Sequence, residues 1–439
     1  MLDLKFVRSN PEAVRKDLLK RKDAEKLGLL DAVVVSDKRH REVLGELEKL
    51  RAKRNQITRQ INEAIKGGKS QLEIDALKQE ASSLPQRIKQ LEAEEKQLEE
   101  QIVFSLMRLP NLLHEAVPVG EGSEDNVEIR RRGIPGKFGF ELKVHGELAQ
   151  EKGWADFERA AKISGGGFSF VLGDLALLDL ALQQYALEKI NAKGFTLVQP
   201  PLLLDKKPYE GVTDLKDFET VMYKLEGEEK YLIATSEHSM VAMHQGEIFQ
   251  PDELPVKYCG VSTCFRREIG SHGVDTRGFF RMHQFNKVEQ VVLCKPEESW
   301  KIFEELIANA EELWSGLEIP YRVVEICTGD IGVVAARKYD LEAWFPREQK
   351  YQEVVSCSNC TGYQATRLNI KYRLKKGGEE KEHVHTLNCT AIATSRAIRA
   401  ILENYQQPDG SVEIPKVLWK YMGGKTELEP GKKISHEPG

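Results

Sequence analysis

The sequence predicts an α+β protein in which an N-terminal antiparallel two-helix coiled-coil arm precedes a larger domain of mixed strands and helices. A chain of 439 residues exceeds what one hydrophobic core usually organises, so two domains are expected. Apolar residues recur at heptad spacing in the first quarter of the chain, and strand-like and helix-like patterns alternate after it. We therefore predict a first domain over residues 1–112, with the arm over about 36–108, and a second domain over residues 113–439.

Composition indicates where the protein works more clearly than what it does. The first residues, MLDLKFVRSNPEAV, contain no apolar run of signal-peptide length, and no window of about 18 apolar residues occurs. Seven cysteines are an odd number, which argues against a closed set of disulfides and fits a reducing compartment. The net charge of −5 excludes no partner, because a local basic stripe can bind nucleic acid on an acidic chain. We expect a cytoplasmic protein with no membrane span.

Two consecutive helices with apolar seams are predicted for the arm. Between residues 36 and 66 the seam alternates steps of four and three residues through Val43, Leu47, Leu50, Arg54, Ile57, Ile61 and Ala64. After GGKS a second seam runs to about residue 108 through Leu77, Leu84, Ile88, Leu91, Leu98 and Ile102. The two seams can pack antiparallel. Pro85 predicts a kink or a new helix start within the second seam, since proline removes a backbone donor.

The two helices of the arm differ in charge. Residues 36–66 contain nine Lys or Arg against five acidic residues, whereas the second helix is net acidic. The basic residues that we consider candidates for nucleic-acid binding are Lys49, Arg51, Lys53, Arg54 and Arg59. A solvated coiled-coil face is the alternative, and charge alone does not decide between the two.

The second domain begins with a segment that has few periodic signals. From about residue 112 to 153 glycine and proline punctuate the chain, which predicts a linker. Strand-like patterns follow in GFTLVQPPLLL and YLIATSEHSM, and FSFVLGDLALLDLALQQYALEKINAKG predicts a long helix closed by Gly194.

The segment STCFRREIGSHGVDTRGFFRMHQFNKVEQVV carries the densest chemistry of the chain. Alternation predicts Arg266 and Glu268 on one face of a strand, and a returning strand with Arg281, His283, Phe285, Lys287 and Glu289 on one face. Gly270, Gly273 and Gly278 would serve the loop between them. Guanidinium groups for phosphate, a ring for a base and acids for an ammonium suit a nucleotide site. A solvent-facing polar side of an antiparallel sheet explains the same alternation.

Three segments resemble the signature motifs of class II aminoacyl-tRNA synthetases. CFRREIGSHGVDTRGFFRMHQFNKVE resembles the second motif in its seryl form, GFTLVQPP the first, and TLNCTAIATSRAIRAILENYQ the third. This motif order after a coiled-coil arm resembles the layout of the seryl-tRNA synthetase family over nearly the whole chain. The third segment, with Asn388, Cys389, Thr390 and Ser395, is closer to archaeal and eukaryotic forms than to the bacterial Asn-Gly-Ser pattern.

The resemblance implies a fold, an activity and partners. It implies a catalytic domain built on a mainly antiparallel β-sheet flanked by helices, with Pro201 in a dimer-forming first motif. It implies a serine–tRNA ligase that uses ATP and Mg²⁺, releases AMP and pyrophosphate, and works as a homodimer. The arm would bind tRNA(Ser), and whether tRNA(Sec) is also charged stays open.

Site residues are implied by matching the family motifs to this chain. For ATP, Arg266 would hold the α-phosphate, Phe285 would stack on adenine, Arg396 would reach the far phosphates, and Glu268 and Glu353 would also contact the nucleotide. Thr235 and Glu237 would bind the serine ammonium, and Arg266 would also contact serine. The resemblance places Glu289 and the Thr390 hydroxyl near the serine hydroxyl, and Ser358 and Asn359 on the pocket wall.

The stretch EVVSCSNCTGYQATR contains a Cys-x-x-Cys pair, which could bind a metal, carry out redox chemistry or do neither. The resemblance implies Glu353 and Ser356 as the Mg²⁺ ligands, with Cys357 and Cys360 lining the pocket. No structural zinc is expected, because a closed zinc site wants four ligands and His383, His385 and Cys389 could complete one only with unusual spacing. No thioredoxin-like pattern supports a redox pair. Residues 353 and 356 are three apart, so a β-bulge is required for both to face one site.

Three functions compete at this point. The first is a working seryl-tRNA synthetase. The second is a relative that activates an amino acid for a carrier protein, which should lack a long basic arm. The third is a non-catalytic coiled-coil RNA-binding protein, which should have lost a site residue. Arg266, Glu289, Glu353 and Arg396 are all present, which favours the first.

Overall fold

A computed structural model describes residues 1–214, 219–268 and 278–431 of the chain. The chain forms two compact units, Met1–Leu112 and Leu113–Gly439. Gly270 and Gly273, which we assigned to a loop, lie outside the described residues.

The first unit is helical. Its helices are α1 (Leu4–Ser9), α2 (Pro11–Leu19), α3 (Ala24–Lys66) and α4 (Gln71–Leu106). Helices α3 and α4 run antiparallel, because Arg39 pairs with Glu94 while Lys53 pairs with Glu80. Their shared core consists of Val43, Leu47, Ile57, Leu84, Ile88 and Leu91. The predicted seam is therefore correct, except that Arg54 is exposed.

Local sequence explains where the two arm helices begin. The Asp23 side chain accepts hydrogen bonds from the backbone N–H groups of Glu25 and Lys26 at the start of α3. Ser70 and Glu73 form a capping box at the start of α4. Pro85 lies inside α4 and does not end it. An interior proline costs about 3 kcal/mol, which the burial of the neighbouring Leu84 and Ile88 against α3 offsets.

The second unit combines strands and helices. Its strands are β1 (Val127–Arg132), β2 (Ala155–Asp156), β3 (Phe170–Val171), β4 (Thr196–Val198), β5 (Leu203–Asp205), β6 (Lys230–Leu232), β7 (Ile248–Phe249), β8 (Val256–Phe265), β9 (Gln284–Cys294), β10 (Tyr321–Glu325), β11 (Arg337–Phe345), β12 (Lys350–Asn359), β13 (Lys371–Arg373), β14 (Lys381–His383) and β15 (His385–Ala393). Its helices are α5 (His145–Glu151), α6 (Phe157–Ser164), α7 (Gly173–Asn191), α8 (Lys206–Val212), α9 (Ser236–Ala242), α10 (Ser299–Gly316), α11 (Tyr363–Leu368) and α12 (Thr394–Asn404).

Within the described residues, eight strands form one sheet in the order β1-β10-β11-β12-β15-β9-β8-β4. Every neighbouring pair is antiparallel except β4 and β8, so the predicted α+β class with a mainly antiparallel sheet is confirmed. One face of the sheet packs against α7 and α10 in the main core, with Tyr185, Phe303 and Trp314 fully or almost fully buried. The opposite face of the central strands is left for a site.

The segment predicted to be a linker is part of the folded unit. Residues 127–132 form the edge strand β1, which pairs with β10. His145 at the start of α5 is completely buried and accepts a hydrogen bond from the backbone N–H of Phe279 at 3.2 Å. The prediction of a linker, which was based on the frequency of Gly and Pro, was therefore wrong. The strand and helix of this segment depend on partners more than 100 residues away in sequence, which a local pattern does not show.

No helix in the described ranges is long and apolar enough to cross a membrane. All seven cysteines are buried thiols.

Candidate active site

A cavity of about 480 Å³ opens on the free face of the central strands of the second unit. The ends of β8, β9, β12 and β15 contribute to it, together with α9 and the start of α12. The cavity brings together the following predicted residues: Thr235, Glu237, Arg266, Glu268, Phe285, Glu289, Glu353, Ser356, Ser358, Thr390 and Arg396. Side chains as far apart in sequence as Thr235 and Arg396 therefore share one site.

Two carboxylates lie close together in the cavity, of which Glu289 is almost completely buried and Glu237 is half-buried. Glu237 is in the first turn of α9, whose N-cap is Thr235. Burial, followed by the nearby charge of Glu289, raises the pKa of Glu237 to about 7. A hydrogen bond donated by Gln364 at 2.8 Å opposes this rise. Glu237 can therefore change its charge near neutral pH when a cation enters.

Glu289 is held by its neighbours on the sheet. Its Oε2 atom lies 2.5 Å from the Lys287 Nζ and accepts a hydrogen bond from the Thr390 hydroxyl at 3.1 Å. Both members of the ion pair are almost completely buried, so the carboxylate is fixed in place before any ligand arrives. Because Thr390 and Glu289 are register partners on adjacent strands, the antiparallel pairing itself brings the hydroxyl to the acid.

Two arginines and an aromatic ring also line the cavity. The Arg266 guanidinium lies 5.4 Å from the centre of the Phe285 ring. Arg396, in the first turn of α12, donates to the Glu353 carboxylate at 2.8 Å and to the Glu353 backbone carbonyl at 3.0 Å. The charge of Arg396 lowers the pKa of Glu353 below its usual value, so Glu353 stays ionised. The arginines supply the donors that phosphate oxygens bind best.

A bulge in β12 places Glu353 and Ser356 in the same cavity. The pairing with β11 skips Val354, because Leu341 is opposite Val355 while Glu342 is opposite Glu353. The extra residue changes the phase of the alternation, so side chains three residues apart face one way. The bulge that the sequence required is confirmed.

Beyond the bulge, regular alternation separates the residues of the Cys-x-x-Cys stretch. Ser356, Ser358 and Cys360 line the cavity, whereas Cys357 packs in the core beneath the sheet. Asn359 shares the side of Cys357 and lies outside the cavity lining, where its side-chain oxygen accepts from the backbone N–H of Thr361 at 2.9 Å. The expectation that Asn359 and Cys357 lie on the pocket wall is therefore not met, because a regular strand turns alternate residues away.

The predicted face of the returning strand is only partly formed. Phe285, Lys287 and Glu289 line the cavity, but Arg281 and His283 precede β9 and do not. Arg281 is exposed, and the His283 ring is 2.6 Å from the Tyr223 hydroxyl. Alternation could not extend to them, because the strand begins at Gln284.

Three polar residues near the site were not found from the sequence. Lys338 lines the cavity and lies 3.7 Å from Asp340, and burial raises the pKa of that acid to about 7. Lys338 and Asp340 are two residues apart on β11, and this spacing in the sequence indicates side chains on the same face of a strand. Gln364, the partner of Glu237, gave none, because the two are 127 residues apart.

In the described ranges, no three His, Cys, Asp or Glu side chains converge as a metal cluster would require. The His385 ring bonds the Ser299 hydroxyl at 2.9 Å, and the Cys389 thiol donates to the Leu306 carbonyl at 3.5 Å. Glu353 and Ser356 both line the cavity, so their side-chain oxygens face the same space.

The five basic residues singled out on α3 are all exposed, but they differ in their partners. Arg51 pairs with Glu92 at 2.8 Å and Lys53 with Glu80 at 2.6 Å, both across the coiled coil. Lys49, Arg54 and Arg59 form no ion pair with the described part of the chain. These three side chains are therefore exposed without an ion-pair partner among the described residues.

Comparison with known proteins matches both units. The family model for the seryl-tRNA synthetase N-terminal domain matches residues 1–113, and the model for the class II tRNA synthetase core domain (G, H, P, S and T) matches residues 220–405. A serine–tRNA ligase from Methanospirillum hungatei is 60% identical over 428 residues, 98% of this chain and 100% of that protein.

Two solved structures match nearly the whole chain. The seryl-tRNA synthetase of Pyrococcus horikoshii, determined in complex with ATP, is 48% identical with a TM-score of 0.93 and covers 98% of this chain and 100% of its own. The cytoplasmic serine–tRNA ligase of Naegleria fowleri, in complex with AMP, is 38% identical with a TM-score of 0.87 and covers 98% and 99%.

Proposed function

The chain belongs to the seryl-tRNA synthetase family, whose enzymes join serine to tRNA, and from that premise we propose how its cavity carries out the reaction. One observation supports the proposal most strongly: a single cavity brings the carboxylates of Glu237 and Glu289 together with two arginines and the Phe285 ring. The acids can bind the ammonium group and the polar side chain of an amino acid. The arginines and the ring suit ATP.

We assign the acids and hydroxyls of the cavity to serine. Glu237, with Thr235 beside it, binds the ammonium. Glu289 and Thr390 bind the side-chain hydroxyl, and Ser358 bounds the pocket. A site that binds the serine hydroxyl through fixed polar groups strongly rejects an amino acid without that hydroxyl, because those groups are then left unpaired in a buried site. The Lys287 ion pair supports this assignment, since it holds Glu289 rigidly before serine binds.

We assign the arginine-rich part of the cavity to ATP. Arg266 contacts the α-phosphate and the serine carboxylate, Phe285 stacks on adenine, Arg396 reaches the far phosphates, and Glu268 contacts the nucleotide. One serine carboxylate oxygen attacks the α-phosphorus of ATP. The bond between the α-phosphorus and the oxygen that bridges to the β-phosphate breaks, and pyrophosphate leaves. A terminal adenosine hydroxyl of tRNA then attacks the carbonyl and AMP leaves. Positioning and charge neutralisation suffice, so no protein nucleophile is needed.

Glu353 and Ser356 are the residues that would hold Mg²⁺. Their donor oxygens fit a hard cation, they share the cavity because of the bulge, and Arg396 keeps the carboxylate ionised. When bound, Mg²⁺ supplies positive charge against the phosphates of ATP.

We propose that the first unit binds tRNA through α3. Lys49, Arg54 and Arg59 support this, because all three are exposed and form no ion pair with the described residues. Binding there would track phosphates, which explains why one arm helix is basic and its partner acidic.

We also propose a homodimer in the cytoplasm. Large apolar side chains are exposed in the first motif segment that contains Pro201, with Leu197 49%, Leu202 36% and Leu203 39% accessible. Exposed apolar side chains concentrated in one segment favour an interface. Light scattering should give twice the mass of the chain, and a monomeric mass would contradict the proposal. Seven buried thiols fit a reducing compartment.

An experiment separates the two units by function. Replacing residues 36–108 with a short linker should spare serine-dependent exchange of pyrophosphate into ATP and abolish most charging of serine tRNA. Arg266→Gln should stop both reactions, because Arg266 belongs to the cavity. Exchange that survives Arg266→Gln at the unmodified rate would contradict the assigned role. Transfer of serine to a carrier protein by the armless enzyme would favour the alternative function.

A further inference from the structure

A glutamine lies behind the carboxylate that we assign to the serine ammonium. Gln364 on α11 is completely buried. Its amide nitrogen donates to Glu237 Oε1 at 2.8 Å and to the Val212 carbonyl at 2.9 Å. Its amide oxygen accepts from the Thr386 hydroxyl at 2.6 Å. The side chain thus links α8, α9 and β15 behind the cavity.

The partners of this amide fix its orientation. A backbone carbonyl can only accept, and an ionised carboxylate can only accept, so both need the amide nitrogen. Reversing the amide would place its oxygen against two acceptors in a buried setting. Thr386 reinforces the same orientation by donating to the amide oxygen. The arrangement therefore presents a preset donor to Glu237.

We propose that Gln364 is a positioning residue for serine binding, whose amide, oriented by Thr386, holds the Glu237 carboxylate in place for the substrate ammonium. This inference rests on the proposed function, because it deepens the role of Glu237 in that site. Gln364 does not line the cavity. Its amide acts on the serine ammonium through Glu237, which does line the cavity.

Charged and titratable groups from several elements act on Glu237. Burial and then Glu289 of β9 raise the pKa of Glu237, whereas Gln364, Lys287 of β9 and Arg266 after β8 lower it. The net result is a pKa of about 7. The neighbouring His238 has a pKa lowered to about 3 by burial, so it is neutral, and the Cys360 thiol has a pKa raised well above its usual value by burial. Removing the Gln364 bond leaves Glu237 protonated to a higher pH.

The test measures serine-dependent pyrophosphate exchange between about pH 6 and pH 8.5. Gln364→Met keeps the length of the side chain and removes its three hydrogen bonds. Its serine KM should rise about 10- to 100-fold near neutral pH, with kcat and the KM for ATP little changed. The pH midpoint of serine KM should move upward. Thr386→Val, which removes only the orienting donor, should shift both quantities less and in the same direction.

Gln406→Met is the matched control, because Gln406 is a buried, hydrogen-bonded glutamine outside the cavity. Circular dichroism checks folding, and Thr386→Val carries the test if Gln364→Met is unfolded. The inference is overturned if Gln364→Met and Thr386→Val match Gln406→Met in serine KM and pH midpoint. It is also overturned if the KM values for serine and ATP rise together. Absence of serine-dependent exchange in the unmodified enzyme would instead defeat the proposed function.

Discussion

Replacing Lys49, Arg54 and Arg59 with glutamine should weaken tRNA binding in a way that depends on salt. Each phosphate contact contributes roughly 0.9 to the slope of log affinity against log salt concentration. Three lost contacts should reduce the slope by about 2.7, so the advantage of the unmodified enzyme should shrink roughly 40-fold between about 50 and 200 mM salt. Filter binding of serine tRNA at several salt concentrations measures both quantities.

The structure also predicts which charges matter less. Arg51 and Lys53 already pair with Glu92 and Glu80, and a phosphate contact must replace an exposed pair worth about 0–1 kcal/mol. Replacing these two should therefore change the slope less per charge.

A control for net charge removes three positive charges from the acidic helix α4 instead, as Lys78, Lys89 and Lys96 changed to glutamine. Lys78 and Lys96 lie 4.0 Å from Asp75 and Glu100, respectively. This control should leave the slope nearly unchanged, and neither triple variant should alter serine-dependent pyrophosphate exchange. Equal slopes for the two triple variants would refute the assignment of tRNA binding to the basic face of α3.

Three further predictions concern the cavity. The unmodified enzyme should reject alanine by about 10⁴-fold in kcat/KM for exchange, and Glu289→Ala should erode that ratio; an unchanged ratio would exclude Glu289 from hydroxyl recognition. Because the pKa of Glu237 is raised to about 7, its carboxylate is lost as pH falls, so serine KM should rise about tenfold per unit below that pH while the KM for ATP stays level. A serine KM independent of pH would contradict this. Cys360→Ser and treatment with a zinc chelator should both be mild in exchange assays, and stoichiometric zinc in metal analysis would overturn the expectation that the thiols bind no metal.

Periodicity predicted the parts of the molecule whose contacts repeat. The heptad seam placed Val43, Leu47 and Ile57 in the arm core, and alternation placed Phe285 and Glu289 in one cavity. Both patterns follow from fixed repeats of helix and strand geometry, which a sequence displays directly.

Other features depend on partners that periodicity does not reveal. The pairing of β1 with β10 turned an expected linker into an edge strand, and burial of Leu84 carried α4 through Pro85. The position of Asn359 follows from strand phase after the bulge at Val354, which shifts every later residue. The contact of Gln364 with Glu237 joins helices far apart in sequence and leaves no local pattern.

Pyrophosphate exchange into ATP, measured with each of the twenty amino acids in the presence of Mg²⁺, tests the central claim most directly. The account predicts exchange with serine that requires Mg²⁺, and rejection of alanine by about four orders of magnitude, because Glu289 and Thr390 are fixed around the place of a hydroxyl. Equal exchange with alanine and serine, or exchange that prefers an amino acid without a hydroxyl, would contradict it.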